Sequence, residues 1–126
     1  MNKLITLFYI VSSLLILSGC GIAIQNIADD NRANTVRIEM GMTRTEVDSI
    51  MGKGTVVGIS NPYKKEIFYD SKNRLLEVYY YYVERFATTE EEQLIPIVLF
   101  EGKVEGIGWR SLDATAKKYD IQIRNR

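Results

Sequence analysis

Residues 75–86 read LLEVYYYYVERF, and this stretch predicts the central strand of the fold. Aromatic and β-branched side chains favour strands, and four consecutive tyrosines stand near its centre. Because successive side chains of a strand point to opposite faces, the tyrosines divide into two pairs. The face with Leu76, Val78, Tyr80 and Tyr82 is the more apolar, so we expect it to meet the helices.

The opposite face of the same strand carries Tyr79 and Tyr81. Exposed aromatic side chains are enriched where proteins contact one another. Two interpretations therefore remain open for this pair. The rings either belong to the core or form a contact surface for a partner protein.

The segments around this strand predict an antiparallel sheet of three or four strands. Lys65–Tyr69 alternates as a strand does, and Asp70–Asn73 is a polar turn that leads into residues 75–86. Leu94–Phe100 and Lys103–Trp109 flank the tight turn at residues 101–102, so they predict a hairpin.

Two details of this hairpin suggest local irregularity. Pro96 favours an edge position or a bulge, because proline has no amide hydrogen to donate. Gly106 and Gly108 share a face with Val104 under strict alternation, and we expect the neighbouring tyrosine rings to cover the two glycines.

Residues 41–52, GMTRTEVDSIMG, predict a short amphipathic helix. Thr43 and Glu46 have the spacing of a capping box, in which each side chain satisfies a free backbone amide. Gly52 suits the helix end. The apolar residues at helical spacing share one face: Val47, Ile50 and Met51. A second helix is permitted over Ser111–Tyr119.

The beginning of the chain has the features of a secretory signal. Residues 4–17 carry no charge and follow Lys3, and this stretch is shorter than the about 20 apolar residues of a membrane-spanning helix. It ends in Leu17, Ser18, Gly19 and Cys20, which resemble a bacterial lipobox. In such signals the cysteine thiol receives a diacylglycerol, the preceding peptide bond is cut, and the new amino group is acylated.

These features divide the chain into three parts. Residues 1–19 are the expected signal peptide, residues 20–35 a lipidated start and flexible tether, and residues 36–126 one α+β domain. A weak helix within the tether remains an alternative. Several acyl chains on Cys20 would anchor the protein firmly, because each buried methylene contributes about 0.8 kcal/mol.

The composition argues against several classes of function. The formal net charge is 0, whereas nucleic-acid binding requires a basic surface. The absence of histidine and the single cysteine remove the commonest catalytic base and the usual zinc ligands. We therefore expect no metal, no cofactor and no catalytic residue. Glu90–Glu92 are interpreted as solvated charge and Trp109 as a core or interface anchor.

The order of motifs resembles the SmpA/OmlA, or BamE-like, family of small outer-membrane lipoproteins. The resemblance rests on GMTRTEVDSIMG at residues 41–52, YYYYVE at 79–84 and VLFEGKVEGIGW at 98–109. It is closer still to uncharacterised bacterial lipoproteins related to that family. The resemblance implies short helices packed on one face of an antiparallel sheet, a two-layer sandwich.

The resemblance also implies a place and a role. Gly21 after the lipidated cysteine, where an aspartate would favour the inner membrane, implies an outer-membrane anchor facing the periplasm. The expected protein is a non-catalytic scaffold that binds an envelope partner, in outer-membrane β-barrel assembly or envelope integrity. An inhibitor- or ligand-binding lipoprotein of the same fold is the alternative.

Overall fold

The computed structural model describes residues 25–56 and 58–123. Residues 25–35 are helical and form α1. The other helices are α2 (Arg44–Met51), α3 (Glu90–Gln93) and α4 (Trp109–Lys118). The strands are β1 (Gly54–Val56), β2 (Ile59–Asn61), β3 (Lys64–Tyr69), β4 (Leu75–Tyr82), β5 (Leu94–Phe100) and β6 (Lys103–Ile107).

The strands form two antiparallel sheets, so the α+β class is confirmed. Strands β3, β4, β5 and β6 form a four-stranded meander in that order, and β1 pairs with β2 in a small hairpin. The predicted turn at residues 101–102 is present, with φ of 51° at Glu101 and 78° at Gly102. Positive φ at both positions suits a two-residue hairpin turn.

Strand β4 is buried on both faces, from Leu76 to Tyr81. One face joins a core cluster with Val47 and Met51 of α2. The other face joins a second cluster with Leu112 of α4. The sequence predicted that the helices meet the face with Leu76, Val78 and Tyr80, and this is wrong for α2, which covers the opposite face with Tyr79 and Tyr81. Helix α4 covers the predicted face instead, so the sheet has a helix layer on each side.

Helix α2 begins where the capping box predicts. The Thr43 hydroxyl accepts a hydrogen bond from Glu46 N at 3.3 Å, and Thr43 N donates to the Glu46 carboxylate at 2.7 Å. Gly52 follows the helix with φ of 79°, which costs glycine little. Ile50 packs beside the two buried residues of this helix, so the predicted apolar face is confirmed.

A bulge in the β5–β6 pairing corrects the predicted position of the glycines. The register shifts between Val98 and Leu99, which places Val104 opposite Leu99 and Gly106 opposite Val98. These two pairs lie on different faces of the sheet. Gly106 is covered by α4 rather than by tyrosine rings, since a Cβ added there would lie 2.5 Å from Ser111 Cβ.

Pro96 lies on an inner strand, so the predicted edge position is wrong, and the bulge, which was the alternative, lies between Val98 and Leu99 rather than at Pro96. Its carbonyl accepts a hydrogen bond from Gly108 N at 2.8 Å, just past the end of β6. In an antiparallel strand the N–H and C=O groups of one residue point toward the same neighbouring strand. The amide hydrogen that Pro96 lacks would therefore also point toward the end of β6. The proline therefore costs a terminal hydrogen bond and leaves the interior of the ladder intact.

Three predicted segments differ in extent. Strand β4 ends at Tyr82 rather than at residue 86, β6 ends at Ile107 rather than at Trp109, and α4 spans Trp109–Lys118 rather than Ser111–Tyr119. The acidic residues Glu90–Glu92 belong to the short helix α3. Thr89 caps α3 by accepting a hydrogen bond from Glu92 N at 3.2 Å. No helix in the described ranges is long and apolar enough to span a bilayer. Residues 1–19, Cys20 and residues 124–126 lie outside the described residues.

Residues 25–35 form a helix, which was the alternative to a flexible tether, and this helix, α1, is packed against the domain. Ile27, Ala28 and Asn31 are buried, and Asn31 is 1% exposed. The Asn31 amide donates to the Asn61 side chain at 3.0 Å and to the Tyr82 carbonyl at 2.9 Å. The Asn61 amide donates back to Asn31 at 3.2 Å. Part of the predicted tether is thus part of the folded domain.

We predict that Asn31→Ala loosens α1 from the domain. The change leaves the Tyr82 carbonyl and the Asn61 side chain without their buried partner, at a cost of about 1–3 kcal/mol. Hydrogen exchange of the amides of residues 25–35 should accelerate. Asn26→Ala, at an exposed position on the same helix, is the matched control and should leave the exchange unchanged. Unprotected amides in the unaltered protein would contradict the docked helix.

Candidate contact surface

Tyr79 and Tyr81 do not form an exposed contact surface. They are 4% and 0% exposed, because Val47 and Met51 of α2 pack over this face of β4. The Tyr81 hydroxyl has no hydrogen-bond partner among the described residues, and burial raises its pKa. The rings therefore belong to the core, which was the other interpretation of the sequence.

The exposed apolar side chains of this face lie one strand further out. Helix α2 covers residues of β4, β5 and β6 but none of β3. Ile67 and Tyr69 on β3 are 52% and 60% exposed. With Lys65 they form one row of alternate residues, which we call the β3 face. This row presents an aliphatic group, an aromatic ring and a cation to solvent.

A buried carboxylate supports the β3 face from the next strand. Glu77 pairs with Ile67 across the sheet, and its side chain is 4% exposed. Lys65 Nζ lies 2.9 Å from Glu77 Oε1, and Arg44 Nε donates to Oε2 at 3.0 Å. The cluster connects the first residue of α2 with β3 and β4.

The charge of Glu77 is retained despite its burial. Burial alone would raise the pKa of Glu77, but the hydrogen bonds from Lys65 and Arg44 outweigh it and hold the pKa below its usual value. The same bonds raise the pKa of Lys65 and of Arg44. The carboxylate is ionised at neutral pH and serves to hold three elements together.

The turn before β4 is fixed by a second carboxylate. Asp70 accepts hydrogen bonds from Lys72 N at 3.0 Å and from Arg74 N at 2.8 Å, and it pairs with the Arg74 guanidinium at 2.6 Å. Burial alone would raise the pKa of Asp70, and these bonds lower it below the usual value. The predicted turn at residues 70–73 therefore carries its own internal partners.

An open groove lies at the other end of the sheet, beside Trp109. Its volume is about 690 Å³, and its lining includes Val83, Leu94 and Ile95. The Trp109 indole donates to the Glu91 carbonyl at 2.8 Å and to the Leu94 carbonyl at 3.0 Å. Its ring centroid lies 5.5 Å from that of Tyr80, so the indole joins α4 to the sheet. This agrees with the predicted anchor role of Trp109.

Glu90–Glu92, the acidic residues singled out in the sequence, lie at the surface, and Glu90 pairs with Lys64 at 2.9 Å. Asp29, also exposed, pairs with Arg32 at 2.6 Å. Within residues 25–56 and 58–123, no group of three or more acidic or thiol side chains is arranged to hold a metal ion.

Sequence reasoning missed the Glu77 cluster. Its one local signal is a carboxylate in the middle of an aromatic strand, since such a group needs a cation when the strand is buried. The hairpin of β3 and β4 explains why Lys65 lies near Glu77. The contact of Arg44, 33 positions before Glu77, depends on the tertiary fold and has no local signal.

Comparison with protein families, curated proteins and solved structures found no match to this chain.

We predict that Glu77→Gln destabilises the protein by about 1–3 kcal/mol at pH 7. The loss is moderate because Arg44 and Lys65 keep 41% and 40% of their side-chain surface in water and remain hydrated. The pKa of Glu77 is lowered by folding, so its stabilisation is complete above the unfolded pKa and disappears as pH falls through the folded pKa.

Denaturant unfolding between pH 7 and pH 3 measures this effect. The stability difference between the unaltered protein and Glu77→Gln should shrink as the pH falls. Glu39→Gln, at an exposed position, is the control and should behave like the unaltered protein at every pH. If the stability difference between Glu77→Gln and the unaltered protein did not change with pH, the ionised state assigned to Glu77 would be contradicted.

Proposed function

We propose that this chain is a non-catalytic lipoprotein, anchored in the outer membrane through Cys20 and facing the periplasm, whose domain binds an envelope protein. The single observation that carries the proposal is the stretch LLILSGC at residues 14–20, with the only cysteine at its end. The resemblance to BamE-like lipoproteins supports a scaffold role in outer-membrane β-barrel assembly or envelope integrity.

The position of α1 supports a location close to the lipid surface. Residue 25 is already helical, and the buried side chains of α1 begin at Ile27. Four residues separate Cys20 from residue 25, and the five Cα–Cα steps between them span at most about 18 Å. A lipid on Cys20 would therefore hold the domain beside the bilayer instead of at the end of a long tether.

The two most buried carboxylates of the described residues have a structural role. The buried carboxylates of Glu77 and Asp70 are each engaged by cationic or amide partners, and both pKa values are lowered. General acid catalysis requires a carboxyl group whose pKa is raised towards neutrality. These two groups are suited to holding the fold together.

We predict that protein isolated from its host envelope begins at Cys20, with a thioether-linked diacylglycerol and an acylated amino group. In Cys20→Ser the signal should remain uncut, since serine offers no thiol to receive the lipid. Intact-protein mass spectrometry measures both outcomes. Ser18→Ala keeps a small side chain before the cysteine and should be processed normally. An unmodified thiol on Cys20 would overturn the proposed anchor.

Cross-linking and isolation of the protein from intact cells distinguish the proposed scaffold function from the alternative, a ligand-binding function. Cross-linking should join the lipidated protein to components that insert β-barrel proteins into the outer membrane. The groove beside Trp109 favours the alternative, because its volume of about 690 Å³ lies in the range of small-molecule sites. A lone lipidated protein with a tightly bound small molecule in this groove would favour that function instead.

A further inference from the structure

The two edge strands of the four-stranded sheet differ in whether another segment of the chain covers them. On β6, Gly41 N donates to Val104 O and Val104 N donates to Met42 O, both at 2.8 Å. Arg44 N donates to Gly102 O at 3.2 Å, so the segment before α2 covers this part of the edge. Strand β3 forms the other edge, and no described residue pairs with its outer side.

The backbone groups that point outward from β3 follow from the pairing with β4. Asp70 N donates to Arg74 O at 3.1 Å, so this pair is hydrogen-bonded. Such pairs alternate along an antiparallel ladder, and the even-numbered residues of β3 therefore face β4. Lys65, Ile67 and Tyr69 direct their N–H and C=O groups away from the sheet.

The same three residues carry the exposed side chains of the β3 face. The edge thus combines free backbone donors and acceptors with an apolar centre at Ile67. Free edges of this kind are templates on which another strand can pair. A strand added here would gain both the backbone hydrogen bonds and the burial of Ile67 and Tyr69.

We propose that the partner at this edge is β3 of a second copy of the chain, paired antiparallel about a two-fold axis at Ile67. In this register Ile67 lies opposite Ile67 of the second copy, and Lys65 lies opposite Tyr69. A cation beside an aromatic ring is a favourable contact. The dimer would join two four-stranded sheets into one sheet of eight strands.

Charge and strand overlap together select this register from the other symmetric ones. An axis at Tyr69, the last residue of β3, would leave Ile67 opposite Ser71, outside the strand. A two-fold axis at Lys65 places Lys65 opposite Lys65 of the second copy, and an axis at Glu66 places Glu66 opposite Glu66. An axis at Phe68 places Glu66 opposite Asp70 of the second copy, and like charges directly opposite destabilise a strand pair. The axis at Ile67 avoids all three conflicts and pairs the whole of residues 65–69. Glu66 then lies opposite Phe68.

Cysteine cross-linking in envelope membranes tests the proposal. Directly opposite residues of a hydrogen-bonded pair lie about 5.5 Å apart between Cα atoms, which suits a disulfide. Full-length Ile67→Cys should give a disulfide-linked dimer on mild oxidation. The unaltered chain reports any link made through Cys20, its only cysteine, and should give none.

Tyr69→Cys is the matched control, because this residue lies on the same face of the same strand and is 60% exposed. In the proposed register it lies four positions from its own copy, or roughly 14 Å. It should therefore remain unlinked. Equal linking of the two variants, no linking of Ile67→Cys, or its linking to a different protein would each overturn the proposal.

Co-isolation of two differently tagged copies gives a second measurement. Ile67→Lys places like charges on the two-fold axis and should reduce co-isolation at least tenfold. Met40→Lys introduces the same charge at another exposed apolar position, 60% exposed, and should retain the dimer. Retained co-isolation of Ile67→Lys would overturn the proposal. The contacts of the dimer do not include the lipid at Cys20, and mass spectrometry of Cys20 measures the anchor separately. Failure of the dimer on a protein shown to be lipidated therefore leaves the proposed function intact.

Discussion

The burial of β4 on both faces is the constraint on which the rest of the fold depends. A strand with aromatic and branched side chains on both sides cannot leave either side in water, so helices must cover both. Helix α2 covers one face and α4 the other. The bulge between Val98 and Leu99 lets β6 serve both layers, since it sends Val104 to one core and leaves room at Gly106 for α4.

Glu77 is the charged exception within this buried strand, and it marks where the helix cover ends. Its two cations, Arg44 and Lys65, come from the helix on one side and the edge strand on the other. Beyond them the sheet face opens to solvent at Ile67. A buried carboxylate with exposed cations keeps α2 and β3 in fixed positions while leaving the sheet edge accessible.

Local signals in the sequence correctly predicted local structure, whereas contacts between residues far apart in the chain could not be predicted. The capping box at Thr43 and the turn at residues 101–102 depend on neighbouring residues alone, and both are present. The docking of α1 depends on Asn31 and Asn61, which are 30 positions apart. Strict alternation failed at Gly106, because a single bulged residue reverses the face of everything after it. The burial of Tyr79 likewise requires a helix that the strand itself does not encode.

The proposed anchor and the proposed edge pairing would reinforce one another. A contact of five residues on each strand is small, and in dilute solution such an edge pair would be weak. Two copies held at one bilayer surface encounter each other at a much higher effective concentration, so a weak contact suffices to pair them. The short distance between Cys20 and α1 adds to this effect, because it limits the orientations that each domain can take above the lipid. A sheet edge left open on a lipid-anchored domain is therefore a surface on which modest local complementarity, centred on Ile67, would be enough to pair the chains.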